Sequence, residues 1–309
     1  MDKIVIEIQK QFDTFTIKEF LKEYNVGRGK IEELRVNKSC YLNGEQVSLE
    51  KVMKTKDILE IDVNENVDVK PSKETIDVVY EDDYLLIVNK PVGLIVHSDG
   101  NDKETMCSRV ARYYLDHNIN RNVRYAHRLD EETTGILIFA KDFLTLAKLN
   151  ELIENHTLTR DYLALVSNRF KGNTFEGTIN KNIAKDRHVN NKFRVGNGDN
   201  SKPAITKYKV LESKGLVSLV YLHLLTGRTH QIRVHMASID HPLLGDAKYG
   251  NFSLNKKFEN EFKYAHQFLV AYRLHFGELT GILSYLSGKT FTCSLPKVEK
   301  KIVETLRGK

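Results

Sequence analysis

Within four residues, His127, Arg128 and Asp130 bring together an imidazole, a guanidinium and a carboxylate, with Thr133, Thr134 and Gly135 close behind. A carboxylate held near a basic group can act as nucleophile, base or electrostatic partner at a carbon that turns cationic. A guanidinium can pair with an anion or stack on a planar ring. Asp, Thr and Gly are also what any tight turn favours, so the turn alone specifies no reaction. Its surroundings add more. Ile136 to Ala140 is a short, β-branched, wholly apolar run that reads as a buried strand. Asp142 then reads as the cap of a helix carrying Phe143, Leu144, Ala147, Leu149, Leu152 and Ile153 near helical spacing. The order is loop, strand, helix, with Asp130 at the mouth of a rigid element.

Other stretches carry chemistry-bearing side chains. Asn89 to His97 contains Lys90-Pro91-Val92-Gly93, a sharp turn between strands. Thr159 to Val166 alternates as a strand, with Arg160 and Tyr162 two residues apart. Thr226 to His235 starts as a turn and runs into a helix, gathering Arg228, His230, Gln231 and Arg233, donors suited to phosphate or carboxylate. His230 and His235 lack the acid and spacing of a zinc protease site, and no metal is expected. Residues 180–209 are rich in base, including Lys192, Arg194, Lys202, Lys207 and Lys209, and suit tracking along phosphates.

The chain of 309 residues is 41% hydrophobic and 28% charged, with a net charge of +6 that permits an RNA partner. Cys40, Cys107 and Cys293 stand far apart, which argues against a disulfide framework and for a reducing, cytoplasmic setting. No secretory signal or membrane-spanning run is expected. Residues 1–64 read as a separate unit of two helices, a hairpin turning at Asn43-Gly44, and a closing strand at Asp57 to Ile61. Residues 65–75 read as a linker and 76–309 as the main domain, opening with strands at Ile76–Tyr80 and Tyr84–Val88.

The string HRLDEETTG resembles the HRLD-x-x-T-S-G signature of the RluA-type pseudouridine synthases, with Thr134 where Ser is usual. NKPVGLIVH, Arg160-x-Tyr162-x-Ala164-x-Val166, SKPAIT (Ser201 where Gly is usual) and TGRTHQIRVH match further family segments in order. The first unit resembles the RNA-binding domain named for ribosomal protein S-four, with Arg28, Lys30, Arg35 and Lys38 as its phosphate contacts.

The resemblance implies an α+β fold whose catalytic domain has a mixed, largely antiparallel sheet crossed by a cleft. It implies isomerisation of uridine to pseudouridine without a cofactor, on ribosomal RNA or transfer RNA, by a monomer. Asp130 is then the catalytic aspartate, Arg233 its partner and Tyr162 the aromatic that stacks on the base and helps remove the C5 proton. Arg128 fills the space left by the flipped uridine, and His127, Lys90, Thr134, Gly135 and Ile232 complete the substrate site. Lys192, Arg194, Lys202, Arg228 and His230 join the RNA contacts. Two other readings are a non-catalytic RNA-binding assembly protein on the same fold and a phosphoribosyltransferase, whose ribose-phosphate loop also sets acids before a Thr-Thr-Gly turn.

Overall fold

The computed structural model describes residues 3–63, 65, 69–98, 104–171, 174–187, 189, 191–198 and 200–307. The chain opens with β1 (Lys3–Glu7), α1 (Ile17–Glu23), α2 (Arg28–Asn37), β2 (Cys40–Leu42), β3 (Glu45–Gln46) and β4 (Ile58–Asp62). These strands form a sheet in the order β1-β4-β2-β3. A capping box fixes the start of α1, Thr16 and Glu19 satisfying each other's backbone amides. Asn43 and Gly44, both at positive φ, make the hairpin turn between β2 and β3. β1 has no counterpart in the sequence reading, although Ile4, Ile6 and Ile8 alternate inward against Phe20, Leu59 and Ile61.

Next come β5 (Asp77–Glu81), β6 (Leu85–Lys90), α3 (Met106–Asp116), β7 (Arg124–Tyr125), β8 (Thr134–Ala140), α4 (Phe143–Glu154) and β9 (Leu158–Ser167). Then follow β10 (Glu176–Asn180), β11 (Ile183–Lys185), β12 (Phe193–Val195), β13 (Ile205–Lys214), β14 (Val217–Leu224) and α5 (Gln231–Ala237). The chain closes with α6 (Phe252–Phe262), β15 (Leu269–Phe276), β16 (Thr290–Thr292) and α7 (Lys297–Arg307). The main sheet has 10 strands, with a spine of β10-β13-β14-β9-β15-β8-β6-β5, β7 beside β8 and β16 beside β15. Its pairings are antiparallel apart from β15 with β8, so the expected mixed, largely antiparallel sheet is what the chain forms.

β8 is buried along its whole length because both faces are covered, which explains its uninterrupted apolar run. Leu137 and Phe139 face a core shared with α3 and α5; Ile136 and Ile138 face one shared with α4, α6 and α7. Burying a side chain the size of Phe139 contributes about 2–3 kcal/mol. Gly135 sits at φ +108, and a Cβ there would lie 2.2 Å from the Ala271 carbonyl oxygen. Glycine at this point lets β8 start directly beside β15.

The first unit packs against the second. Phe143 and Leu144, at the start of α4, enter the core formed by Phe20, Tyr24 and Leu34. Glu65 is buried, pairs with Arg124 and lies 3.6 Å from Lys30. Further along the segment read as a linker, the Ser72 amide donates to the Ser108 carbonyl at 2.9 Å. No helix among the described residues is long and apolar enough to cross a membrane.

Candidate active site

A cleft of about 990 Å³ opens on the sheet face that carries Tyr162. Its floor comes from β9 and β15, one wall from the 127–133 loop before β8, and the other from the 224–233 turn and α5. The loop is held from several sides. Thr133 donates its amide to the Asp130 carbonyl at 3.0 Å, closing the turn. The Gly93 amide and the Lys90 ammonium both donate to the Glu131 carbonyl at 3.0 Å. Gln267 Nε2 donates to Thr133 Oγ1 at 2.8 Å from a fully buried position.

Asp130 meets Arg233 across the cleft, Arg233 Nη1 donating to Asp130 Oδ2 at 3.1 Å. The Arg233 guanidinium is fixed from behind by Asp246, which accepts from Nε at 2.7 Å and Nη2 at 2.9 Å. Asp246 also accepts the backbone amides of Lys248 and Tyr249. Burial alone would raise Asp246, but the Arg233 hydrogen bonds, its charge and those amides hold the carboxyl below its ordinary range. Burial likewise works against the charged Arg233, and the bonds to Asp246 with the charges of Asp246 and Asp130 outweigh it, so Arg233 is held more firmly protonated than usual.

Tyr162 lies on the floor, 4% exposed, with its phenol pushed up by burial. Arg160, two residues earlier on the same face of β9, also lines the cleft and packs against the Gly227 turn, where a Cβ would lie 3.3 Å from its Nη1. Ile232 lines the cleft from α5. Gln231, also in the cleft lining, is buried and clamps the turn, accepting from Thr226 Oγ1 and the Arg228 amide and donating to the Ile205 carbonyl and Thr206 Oγ1. His127 is a buried part of the cleft lining, where desolvation first and the Arg160 charge second push it down to about 3, so the ring is neutral, and among the described residues neither ring nitrogen has a hydrogen-bond partner of ordinary geometry. Arg128 is exposed on the lip, Nη1 being 3.5 Å from His97 Nε2, and the His97 ring stacks on Tyr125 with centroids 4.9 Å apart.

Several expected site residues are placed differently. Lys90 does not reach the cleft: it is 0% exposed and its ammonium donates to the carbonyls of Pro91, Leu94 and Glu131. Burial pushes it down to about 7, with the charges of Asp130 and Glu131 opposing. Thr134 and Gly135 are strand residues behind the loop, outside the cleft lining, because the loop that carries Asp130 ends one residue earlier at Thr133. Lys30 is half-buried at the joint between the two units, paired with Glu33 and near Glu65, which takes it off an open RNA-facing surface. Arg28, Arg35 and Lys38 are exposed on or beside α2, Arg35 beside Glu32. Lys192 is half-buried over the Tyr249 ring at 5.8 Å, and Arg194 and Lys202 are exposed. Arg228 is exposed, its Nε donating to the Pro203 carbonyl at 3.1 Å. His230 belongs to the cleft, with Nε2 3.9 Å from Asp130 Oδ2.

Asp246, Tyr249 and Gln267 were missed as functional residues. Asp246 and Tyr249 stand in the HPLLGD and Tyr249-Gly250 strings that complete the Leu224–Gly250 block, where spacing gives neither a role, and the buried partner of Gln267 leaves no trace in local spacing. His230 occupies a left-handed conformation, φ +55, at the N-cap of α5. That costs a residue with a Cβ about 1–2 kcal/mol and is borne here at the edge of the site.

The sequence profile of the RNA pseudouridylate synthase family matches residues 84–238, and that of the RluD ribosomal pseudouridine synthase N-terminal domain matches residues 4–59. The uncharacterized RNA pseudouridine synthase YhcT of Bacillus subtilis is 38% identical over 72% of this chain and 74% of its own. The ribosomal large subunit pseudouridine synthase D of Salmonella typhimurium is 34% identical over 72% of this chain and 68% of its own. Among solved structures, human RNA pseudouridylate synthase domain containing 4 superposes with a TM-score of 0.61 at 25% identity, covering 75% of this chain and 93% of that one. The cleft with its facing aspartate and arginine therefore sits in a chain that belongs to the RluA-type RNA pseudouridine synthases, enzymes that are isomerases.

Proposed function

We propose that this enzyme isomerises a uridine of structured ribosomal RNA, with Asp130 acting at the ribose C1′. One observation carries the reading: Asp130 is locked to Arg233 through Oδ2 at 3.1 Å while its side chain stays 25% exposed to the cleft. Breaking the N1–C1′ bond passes through an oxocarbenium-like state, which a carboxylate beside C1′ stabilises as in glycoside hydrolysis. The uracil then turns and rejoins through C5, which loses a proton while N1 gains one, so nothing is oxidised and no group enters or leaves. The same placement of Asp130 serves attack on C1′ or removal of a sugar proton. The raised phenol of Tyr162 makes it a surface for the base and a poor proton acceptor near neutral pH.

A uridine in folded RNA must leave its stack first, at a cost of roughly a few kcal/mol. Arg128, exposed on the lip beside His97, is placed to fill the gap with its planar guanidinium. Ribosomal RNA is favoured over transfer RNA by the named relative that acts on the large subunit and by the N-terminal profile match. In this reading residues 1–64 grip RNA through Arg28, Arg35 and Lys38, residues 65–75 link, and residues 76–309 catalyse, as a monomer in the cytoplasm.

The test is a pseudouridine assay on total RNA from cells lacking this protein, with purified wild type or Asp130→Asn added back. A uridine converted by wild type and left alone by a folded Asp130→Asn supports the reading and names the substrate. Conversion by both proteins overturns the role of Asp130.

A further inference from the structure

The Asp130–Arg233 pair has a third neighbour, His230. The Phe193 amide, on β12, donates to the Tyr249 hydroxyl oxygen at 2.8 Å. The same hydroxyl lies 2.9 Å from His230 Nδ1. With one lone pair taken by the Phe193 amide, the Tyr249 O–H is free to donate to Nδ1, the arrangement that puts the imidazole proton on Nε2. Nε2 lies 3.9 Å from Asp130 Oδ2, just beyond hydrogen-bond reach, and that oxygen also accepts from Arg233. The ring is steadied by edge-on packing against Phe193 and Tyr249, with centroids 5.4 and 5.6 Å away. Its backbone is left-handed, φ +55, at the N-cap of α5.

We propose that His230 is a positioning residue for Asp130: with Tyr249 setting its tautomer, its Nε2–H closes from 3.9 Å to hydrogen-bond distance when RNA fills the cleft and joins Arg233 in holding Oδ2, so that Oδ1 is the oxygen presented to the ribose. Two donors converging on one carboxylate oxygen restrict rotation of the carboxylate, and a lone Arg233 contact would leave it freer to swing. Burial disfavours the charged imidazole, as do the Arg233 and Lys248 cations, while Asp130 and Asp246 oppose them; the balance holds the ring neutral. This inference rests on the reading of Asp130 as the catalytic carboxylate.

The experiment is a double-mutant cycle on single-turnover pseudouridylation of total RNA from cells lacking the protein, with RNA affinity measured in parallel. Tyr249→Phe removes one oxygen and keeps the ring; His230→Asn keeps a residue that tolerates the left-handed backbone. Each variant is expected to lose about tenfold or more in the rate constant at saturating enzyme, with RNA affinity unchanged. The double variant is expected to be no slower than His230→Asn alone, because Tyr249 acts through His230. If the two losses multiply, Tyr249 serves only the packing of the β11–β12 hairpin and the inference fails. Wild-type rates in both single variants sink it too. Should His230→Asn not fold, a wild-type rate in Tyr249→Phe is by itself enough to overturn it. Asp130→Asn, run alongside, separates the two failures: if it turns over, the catalytic reading falls; if it is dead while both variants run at full rate, only the role of His230 falls.

Discussion

Asp246→Asn isolates what holds Arg233 in place. The substitution keeps the shape and removes the charge, and an amide cannot accept both arms of the Arg233 fork, now made at 2.7 and 2.9 Å. The guanidinium stays buried, with its side chain 7% exposed and Asp246 at 0%. Removing one partner of a buried pair costs about 3–5 kcal/mol, and the low end applies because Asp130 still faces Nη1. At roughly 2–4 °C per kcal/mol for a chain this long, the melting temperature should fall by about 10 °C. Released from its fork, Arg233 no longer holds Asp130 in place, and with Asp130 as the proposed reacting carboxylate a displacement of about 1 Å costs on the order of 100-fold in rate. The assay pairs thermal melting with single-turnover pseudouridylation. Because the folded Asp246 carboxyl lies below its unfolded value, its stabilisation is complete above about pH 4 and is lost as pH falls through the depressed folded value. The gap between wild type and Asp246→Asn should therefore be constant from pH 5 to 8 and close only in strong acid. A variant that melts within about a degree of wild type and turns over normally would show that the fork is not what positions Arg233.

Two further outcomes follow from the same geometry. Lys90 is pushed down to about 7 when folded, whereas in the unfolded chain it keeps its proton to about 10.4, so folding sheds a proton between those values and stability rises with pH. Urea midpoints at pH 7 and 9 should show that rise, at most about 1.4 kcal/mol per pH unit, and Lys90→Met should flatten it while lowering stability at both; an unchanged slope contradicts the assignment. Arg28→Ala and Lys38→Asn, on the exposed side of the first unit, should each reduce the dependence of RNA affinity on salt by about one in the log–log slope with kcat unchanged; a slope equal to wild type removes that residue from the interface.

The two halves of the site differed in how much the sequence disclosed. Asp130 and Arg233 stand 103 residues apart, yet each lies in a short string dense in chemistry, and the sheet brings the strings together. Lys90 and Gly135 lie in equally distinctive strings, but what they serve is backbone: carbonyls gathered under an ammonium, and a strand crossing too close for a Cβ. A motif marks a position as constrained without saying whether the constraint comes from substrate or from the chain itself. Local spacing had a further limit at β13, where Lys207 and Lys209 sit on the outward side of a strand with one solvated face. From composition alone that alternation was indistinguishable from a basic loop. Asp246 lay furthest from view: its value comes from a bidentate partner 13 residues earlier and from two amides that its own turn supplies. Asp130, the carboxylate proposed to act at C1′, is thus the legible end of a chain of contacts. Asp246 fixes Arg233, Arg233 fixes one oxygen of Asp130, and the Lys90 and Gln267 bonds fix the loop on which Asp130 stands.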